Sequence, residues 1–170
     1  DRGFTPAALE SYSVGFRTGK HSGLCWFQRS ERGALEQRYR IWSPTSAHKW
    51  SWGGEGAPRQ FLWPQWIKPP AEGPIYLCEG EWDVLAMRIM LGVENAYTWT
   101  GGASGILIPE MLPSWLRGRD VIVVYDLDVF QGPDMSRWVA PTPKQMADMK
   151  RRYSSMLRNT VAPLQEMGCK

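Results

Sequence analysis

Ile75-Tyr76-Leu77-Cys78-Glu79-Gly80-Glu81-Trp82-Asp83 and, further on, Val121-Ile122-Val123-Val124-Tyr125-Asp126-Leu127-Asp128 are the two stretches that decide how this chain folds. In each, a short strand-like apolar run stops at a cluster of acids. Successive residues of a strand alternate between faces, so Asp126 and Asp128 point at one spot if the extended geometry continues through them. If the two runs are neighbouring parallel strands, Glu79 emerges beside that pair at the carboxyl edge of the sheet. Open α/β sheets place their ligand sites at that edge.

Three carboxylates meeting there repel one another unless a cation sits among them. A hard divalent ion with oxygen ligands, Mg²⁺ or Mn²⁺, is the natural occupant. Glu79 precedes Gly80, whose missing side chain lets backbone or phosphate come close, and a glutamate there can ligate a metal or act as general base. Asp126 and Asp128 can hold one or two ions that activate a 3′-hydroxyl or a water and neutralise a transferring phosphoryl group. Either cluster alone is common, and an aspartate at a strand end often only caps a turn. The reading rests on both occurring in this order, each behind a strand.

Around these runs the chain reads as strand and helix in alternation. The expected elements are a strand at 75–78, a helix at 83–91 stopped by Gly92, a short strand at 96–98, broken helix within 106–116, and a strand at 121–125. Thr142 and Pro143 open a last helix, with Met146, Met149, Tyr153, Leu157, Val161 and Leu164 at helical spacing. Pro163 is expected to kink or end it. Gly168-Cys169-Lys170 resembles the start of a further strand, so the chain is expected to be a fragment truncated at its C-terminus. The fold class predicted is α/β, a Rossmann-like, mostly parallel sheet with flanking helices.

Upstream lies a different texture. A helix at 6–12 capped by Thr5, strands at 23–28 and 35–42 joined by a polar turn, and a Gly/Pro/Ser-rich loop at 43–59 make a small α+β lobe. Lys68-Pro69-Pro70-Ala71-Glu72-Gly73-Pro74 is the linker candidate, which divides the chain into 1–70 and 71–170.

With 170 residues, 43% of them hydrophobic, the chain can bury one sizeable core or two small ones. The 3 cysteines have no C-x-x-C spacing, so neither a disulfide framework nor a zinc ribbon is supported. No apolar run reaches membrane-spanning length and no signal-peptide profile opens the chain, so a cytoplasmic protein without a membrane partner is expected. The net charge of +3 conceals segregation: 9 Lys/Arg against 5 Asp/Glu in residues 1–60, 5 against 10 in 61–140, and 6 against 2 in 141–170. An acidic middle between basic ends suits a metal centre that serves a polyanion.

The segment Leu77–Leu85, the glycine-rich Thr100-Gly101-Gly102-Ala103-Ser104-Gly105 and Val124-Tyr125-Asp126-Leu127-Asp128 together resemble the Toprim domain. That domain is shared by bacterial and phage primases, type IA and type II topoisomerases, and some nucleases and recombination proteins. The E-G-E-x-D form is most similar to phage-type primase–helicases, and the resemblance covers roughly residues 74–135. Val14-Gly15-Phe16, the hairpin around Leu24-Cys25-Trp26-Phe27, the basic strand Arg38-Tyr39-Arg40 and His48-Lys49-Trp50 are similar to the N-terminal lobe of a primase RNA-polymerase core.

The resemblance implies a metal-dependent DNA primase that makes RNA primers on single-stranded DNA from nucleoside triphosphates. Mg²⁺ or Mn²⁺ would sit at Glu79, Asp126 and Asp128, and Arg40 (or Arg38) and Lys49 would grip nucleotide or template phosphates across the cleft. It implies a fused or separate replicative helicase as partner, and the cytoplasm of a bacterial or phage-infected cell. Two alternatives stay open: a Toprim nuclease, and a catalytically vestigial module that binds single-stranded DNA or holds a helicase. A phosphatase of the haloacid-dehalogenase type expects a threonine soon after the D-x-D pair, where Val129-Phe130 stand.

Two departures from the family form bear on this. Val129-Phe130-Gln131 separate Asp128 from Gly132, one residue more than usual, and Pro133 delays the following helix to Thr142, with Asp134 as a substitute ligand. The zinc ribbon many primases use to read the template is absent from the sequence. Of the remaining features, Asp83 is expected to cap the helix behind it. Lys150-Arg151-Arg152 is expected to be a solvated face first and a phosphate contact second.

Overall fold

The computed structural model describes residues 3–18, 23–29, 35–41, 50–53, 61–64, 67–100, 105–125 and 142–170, with residues 17, 26–29, 35–41 and 50–53 by backbone alone. Thr5 opens the first helix, α1 (Pro6–Ser11): its hydroxyl accepts the Ala8 N–H at 3.2 Å, and Pro6 fills a position that needs no donor. Four strands follow, β1 (Val14–Arg17), β2 (Gly23–Arg29), β3 (Leu35–Ile41) and β4 (Trp50–Gly53). They pair antiparallel in sequence order, with Trp26 opposite both Val14 and Arg38. β4 corrects the expectation of a loop at 43–59. Trp50 and Trp52 are strand formers, and the glycines, prolines and serines around them hide a run of 4 residues.

The second sheet starts with β5 (Leu62–Trp63), on the N-terminal side of the 68–74 segment, and continues with β6 (Ile75–Cys78). Helix α2 (Glu81–Leu85) runs on through a π-helical turn, Ala86–Met90. Then come β7 (Ala96–Trp99), two 3₁₀ turns at Pro109–Met111 and Ser114–Leu116, and β8 (Val121–Val124). The chain closes with α3 (Pro143–Met156), a second π-helical turn Leu157–Val161, and α4 (Ala162–Glu166). The strand order is β5-β7-β6-β8; β6 is parallel to both neighbours and β5 is antiparallel to β7. The fold is therefore mixed α/β, with a mostly parallel sheet flanked by helices.

Strand alternation sorts the core into two. Leu62, Ile75, Leu77, Tyr97, Trp99, Val121 and Val123 face one side, under Leu107, Leu112, Leu116, Leu164 and Met167. Trp63, Tyr76, Cys78 and Ala96 face the other, under Val84 and Leu85 of α2 and under Phe4, Leu9, Tyr12, Val14 and Leu24 of the N-terminal elements. The antiparallel lobe is thus packed against the α2 side of the parallel sheet.

At the outer edge of β8, the Lys170 N–H donates to the Arg119 carbonyl (3.0 Å) and the Val121 N–H to the Lys170 carbonyl (2.8 Å). This is one bridge of a parallel ladder, and it gives Lys170 the strand character expected of it. Among the described residues no helix is long and apolar enough to cross a membrane.

Candidate functional site

β6 lies between β7 and β8. The chain leaves β6 for β7 on one side, then crosses to β8 on the other, so the connections diverge at the carboxyl ends of β6 and β8. That divergence is the topological switch point, where an open α/β sheet has its crevice. The register pairs Cys78 with Val124 and with Thr98. Glu79, Tyr125 and Trp99-Thr100 therefore leave the sheet side by side at one edge.

Glu79 is partly buried there, and the turn after it is built by its own neighbours. Gly80 is extended (φ −141°, ψ 169°) and caps α2; the Asp83 carboxylate accepts the Gly80 N–H at 2.9 Å. Asp83 thus acts as a cap, but from the third helical position, which is why α2 begins two residues before the expected 83. Glu81, 3% exposed, and Asp83 both stand in the first turn, where the helix dipole favours negative charge.

Tyr125 carries the opposite wall. Its hydroxyl lies 3.2 Å from Thr160 Oγ1, and Thr160 is buried inside the second π-helical turn. Burial pushes the Tyr125 phenol above its ordinary range; the Thr160 hydrogen bond pulls it back, and the nearby charge of Glu79 pushes it up again. Pro163 has no N–H to give the Asn159 carbonyl one turn back, and that carbonyl takes the Leu107 N–H at 2.8 Å instead. Of the two outcomes expected at Pro163, a kink or an end, the helix does not end there. It widens into a π turn just before it and continues as α4.

One segment, 157–161, so grips both the exit from the glycine-rich stretch and the end of β8. Thr160 has a sequence signal: it is a hydroxyl where the apolar stripe from Met146 to Leu164 turns inward.

Among the expected site residues, Glu79 is placed at the switch point. Arg38 and Arg40 lie two apart on β3, so they share a face of the first sheet, opposite Trp26 and Leu24 of β2. Asp126 and Asp128, which follow Tyr125 in sequence, and Lys49 and Asp134 lie outside the described residues. Glu79 offers hard oxygen donors of the kind Mg²⁺ or Mn²⁺ takes. Among the described residues no group of three or more His, Cys, Asp or Glu is assembled around a common point.

No family model and no curated protein matches the sequence. Among solved structures, the chain is similar to the primase fragment of the bacteriophage T7 primase-helicase protein. The TM-score is 0.53 at 13% identity, over 94% of this chain and 71% of that one. At that identity the likeness is one of fold.

Proposed function

We propose that this chain is a primase core, which synthesises RNA primers on single-stranded DNA by divalent-metal-dependent nucleotidyl transfer. The observation that carries the reading is the emergence of Glu79 at the switch point next to Tyr125, one residue ahead of Asp126. The similarity in fold to the T7 primase fragment supports it over nearly the whole chain.

On this reading residues 71–170 form a Toprim domain, joined at its sheet edge by β5 (Leu62–Trp63), and the rest of 1–70 is the N-terminal lobe of the core. Glu79, Asp126 and Asp128 hold Mg²⁺ or Mn²⁺, which when bound neutralises charge on the transferring phosphoryl group. Glu79 orients the attacking 3′-hydroxyl and accepts its proton. Arg40 or Arg38, with Lys49, holds nucleoside triphosphate or template phosphates. The fold neighbour comes from a primase-helicase, and a replicative helicase is the proposed partner here too.

Primer synthesis on single-stranded DNA with Mg²⁺ or Mn²⁺ tests the reading. Wild type should make short RNA products, and Glu79→Gln and Asp126→Asn should each lower the rate by about 100-fold or more. Synthesis left intact by both changes would remove the site assignment. Cleavage without extension would make the protein a nuclease, and binding with neither activity would make it a vestigial module.

A further inference from the structure

Helix α3 has 14 residues and buries none of them. It carries Lys144, Lys150, Arg151 and Arg152 against one acid, Asp148, and Arg158 follows in the π turn. Lys144, Arg151 and Arg158 recur every seven residues, about 10 Å per step along the axis, and therefore stand in one row. All three are exposed. Arg151 also pairs with Asp148, an exposed i,i+3 contact that solvent keeps weak. Met146, Met149 and Tyr153 lie on the far side of the helix from this row.

Where the row ends matters. Arg158 is two residues from Thr160, whose hydroxyl meets Tyr125 at the carboxyl edge beside Glu79. Residues two apart on a helix face opposite ways, so the row ends level with the crevice but on the outer face of the helix that walls it, and it runs outward from there for about 20 Å. An evenly spaced line of positive charge complements a line of phosphates, and a continuous backbone is the ligand that engages every member at once.

We infer that the Lys144–Arg151–Arg158 row is a track for the backbone of single-stranded nucleic acid along the outer face of the helix whose inner face carries Thr160. That the bound strand is the template rests on the primase reading; the binding itself does not.

Anisotropy of a labelled 20-nucleotide oligothymidylate, measured in EDTA over a range of KCl, tests the track without any metal chemistry. The triple variant Lys144→Ala, Arg151→Ala, Arg158→Ala should bind about 10-fold more weakly or worse. Its slope of log K against log salt should be shallower by about 2. Alanine is a good helix former at these exposed positions, so the far-UV spectrum should stay as in wild type.

Removing two exposed cations elsewhere (Lys68→Ala with Arg117→Ala) should change affinity less than twofold. The inference is overturned if wild type does not bind, if the triple variant keeps wild-type affinity and slope, or if the Lys68/Arg117 control loses as much. It is also overturned if polyglutamate displaces the oligonucleotide at equal charge, which would make the row a site for an acidic protein. Failed primer synthesis with this pattern of binding intact would count against the primase reading alone.

Discussion

Asp83 stands four residues beyond Glu79 in a cluster of acids, yet its carboxylate accepts the Gly80 N–H and so closes the first turn of α2. A carboxylate used this way belongs to stability. Asp83→Ala should cost about 1 kcal/mol, read as a lower urea midpoint at unchanged slope, and Asp83→Asn, which keeps an acceptor oxygen, should cost less.

Tyr97 is one of two phenols, with Tyr125, at which alkaline pH should act. Burial pushes its phenol upward, with Arg88 pulling the other way, and its hydroxyl donates to the Ile67 carbonyl at 2.5 Å. In the unfolded chain the phenol ionises near its ordinary value of about 10, while the folded protein keeps the proton. The unfolded state is therefore favoured as pH rises past that value, and the contribution is present in full below it. Urea unfolding between pH 8 and 11 should show stability falling above about pH 10. Tyr97→Phe should make that fall less steep, with buried Tyr125 supplying the remainder, while costing about 1 kcal/mol at neutral pH.

The π-helical turn Leu157–Val161 is the element whose consequences reach furthest. It frees the Asn159 carbonyl for Leu107 and buries Thr160 against Tyr125. Thr160→Val keeps the shape and removes the hydroxyl, so a partly buried phenol loses its partner. The expected cost is about 1 to 2 kcal/mol, restored in large part by Thr160→Ser, which thermal melts of the three proteins would measure.

Legibility also divides at this scale. β6 and β8 are plain in the sequence because their side chains supply an uninterrupted strand signal, and α1 and α3 because Thr5-Pro6 and Thr142-Pro143-Gln145 write their own caps. β4 is obscured by its glycine-rich surroundings, and the start of α2 by a cap that reads backward from Asp83. β5 is a 2-residue strand that exists only through pairing with Trp99 and Thr98, more than thirty residues on. At the candidate site, Glu79 is legible as the end of a strand, whereas the Thr160–Tyr125 contact depends on how a helix lies across a sheet, which no local pattern encodes.

For the whole molecule, the question is what holds the antiparallel sheet, with Arg38 and Arg40 on it, to the sheet that carries Glu79. Part of the answer is apolar: Val14, Leu24 and Tyr12 share a core with Trp63, Cys78 and α2, and Phe4 stacks on Trp82 with centroids 5.7 Å apart. The other part is Arg88, 6% exposed, which donates from Nε to the Ala96 carbonyl at 2.8 Å and lies between two rings. Its guanidinium carbon is 4.8 Å from the Tyr97 centroid in the parallel sheet and 5.8 Å from that of Tyr12 at the end of α1. A cation facing an aromatic ring away from water is held by about 1 to 2 kcal/mol, and here one of the two rings belongs to each lobe. A double-mutant cycle of Tyr12→Leu with Arg88→Met isolates the inter-lobe half of that sandwich. The coupling expected is about 0.5 to 2 kcal/mol. A coupling under about 0.3 kcal/mol would mean that apolar packing alone joins the lobes and that Arg88 serves only the parallel sheet.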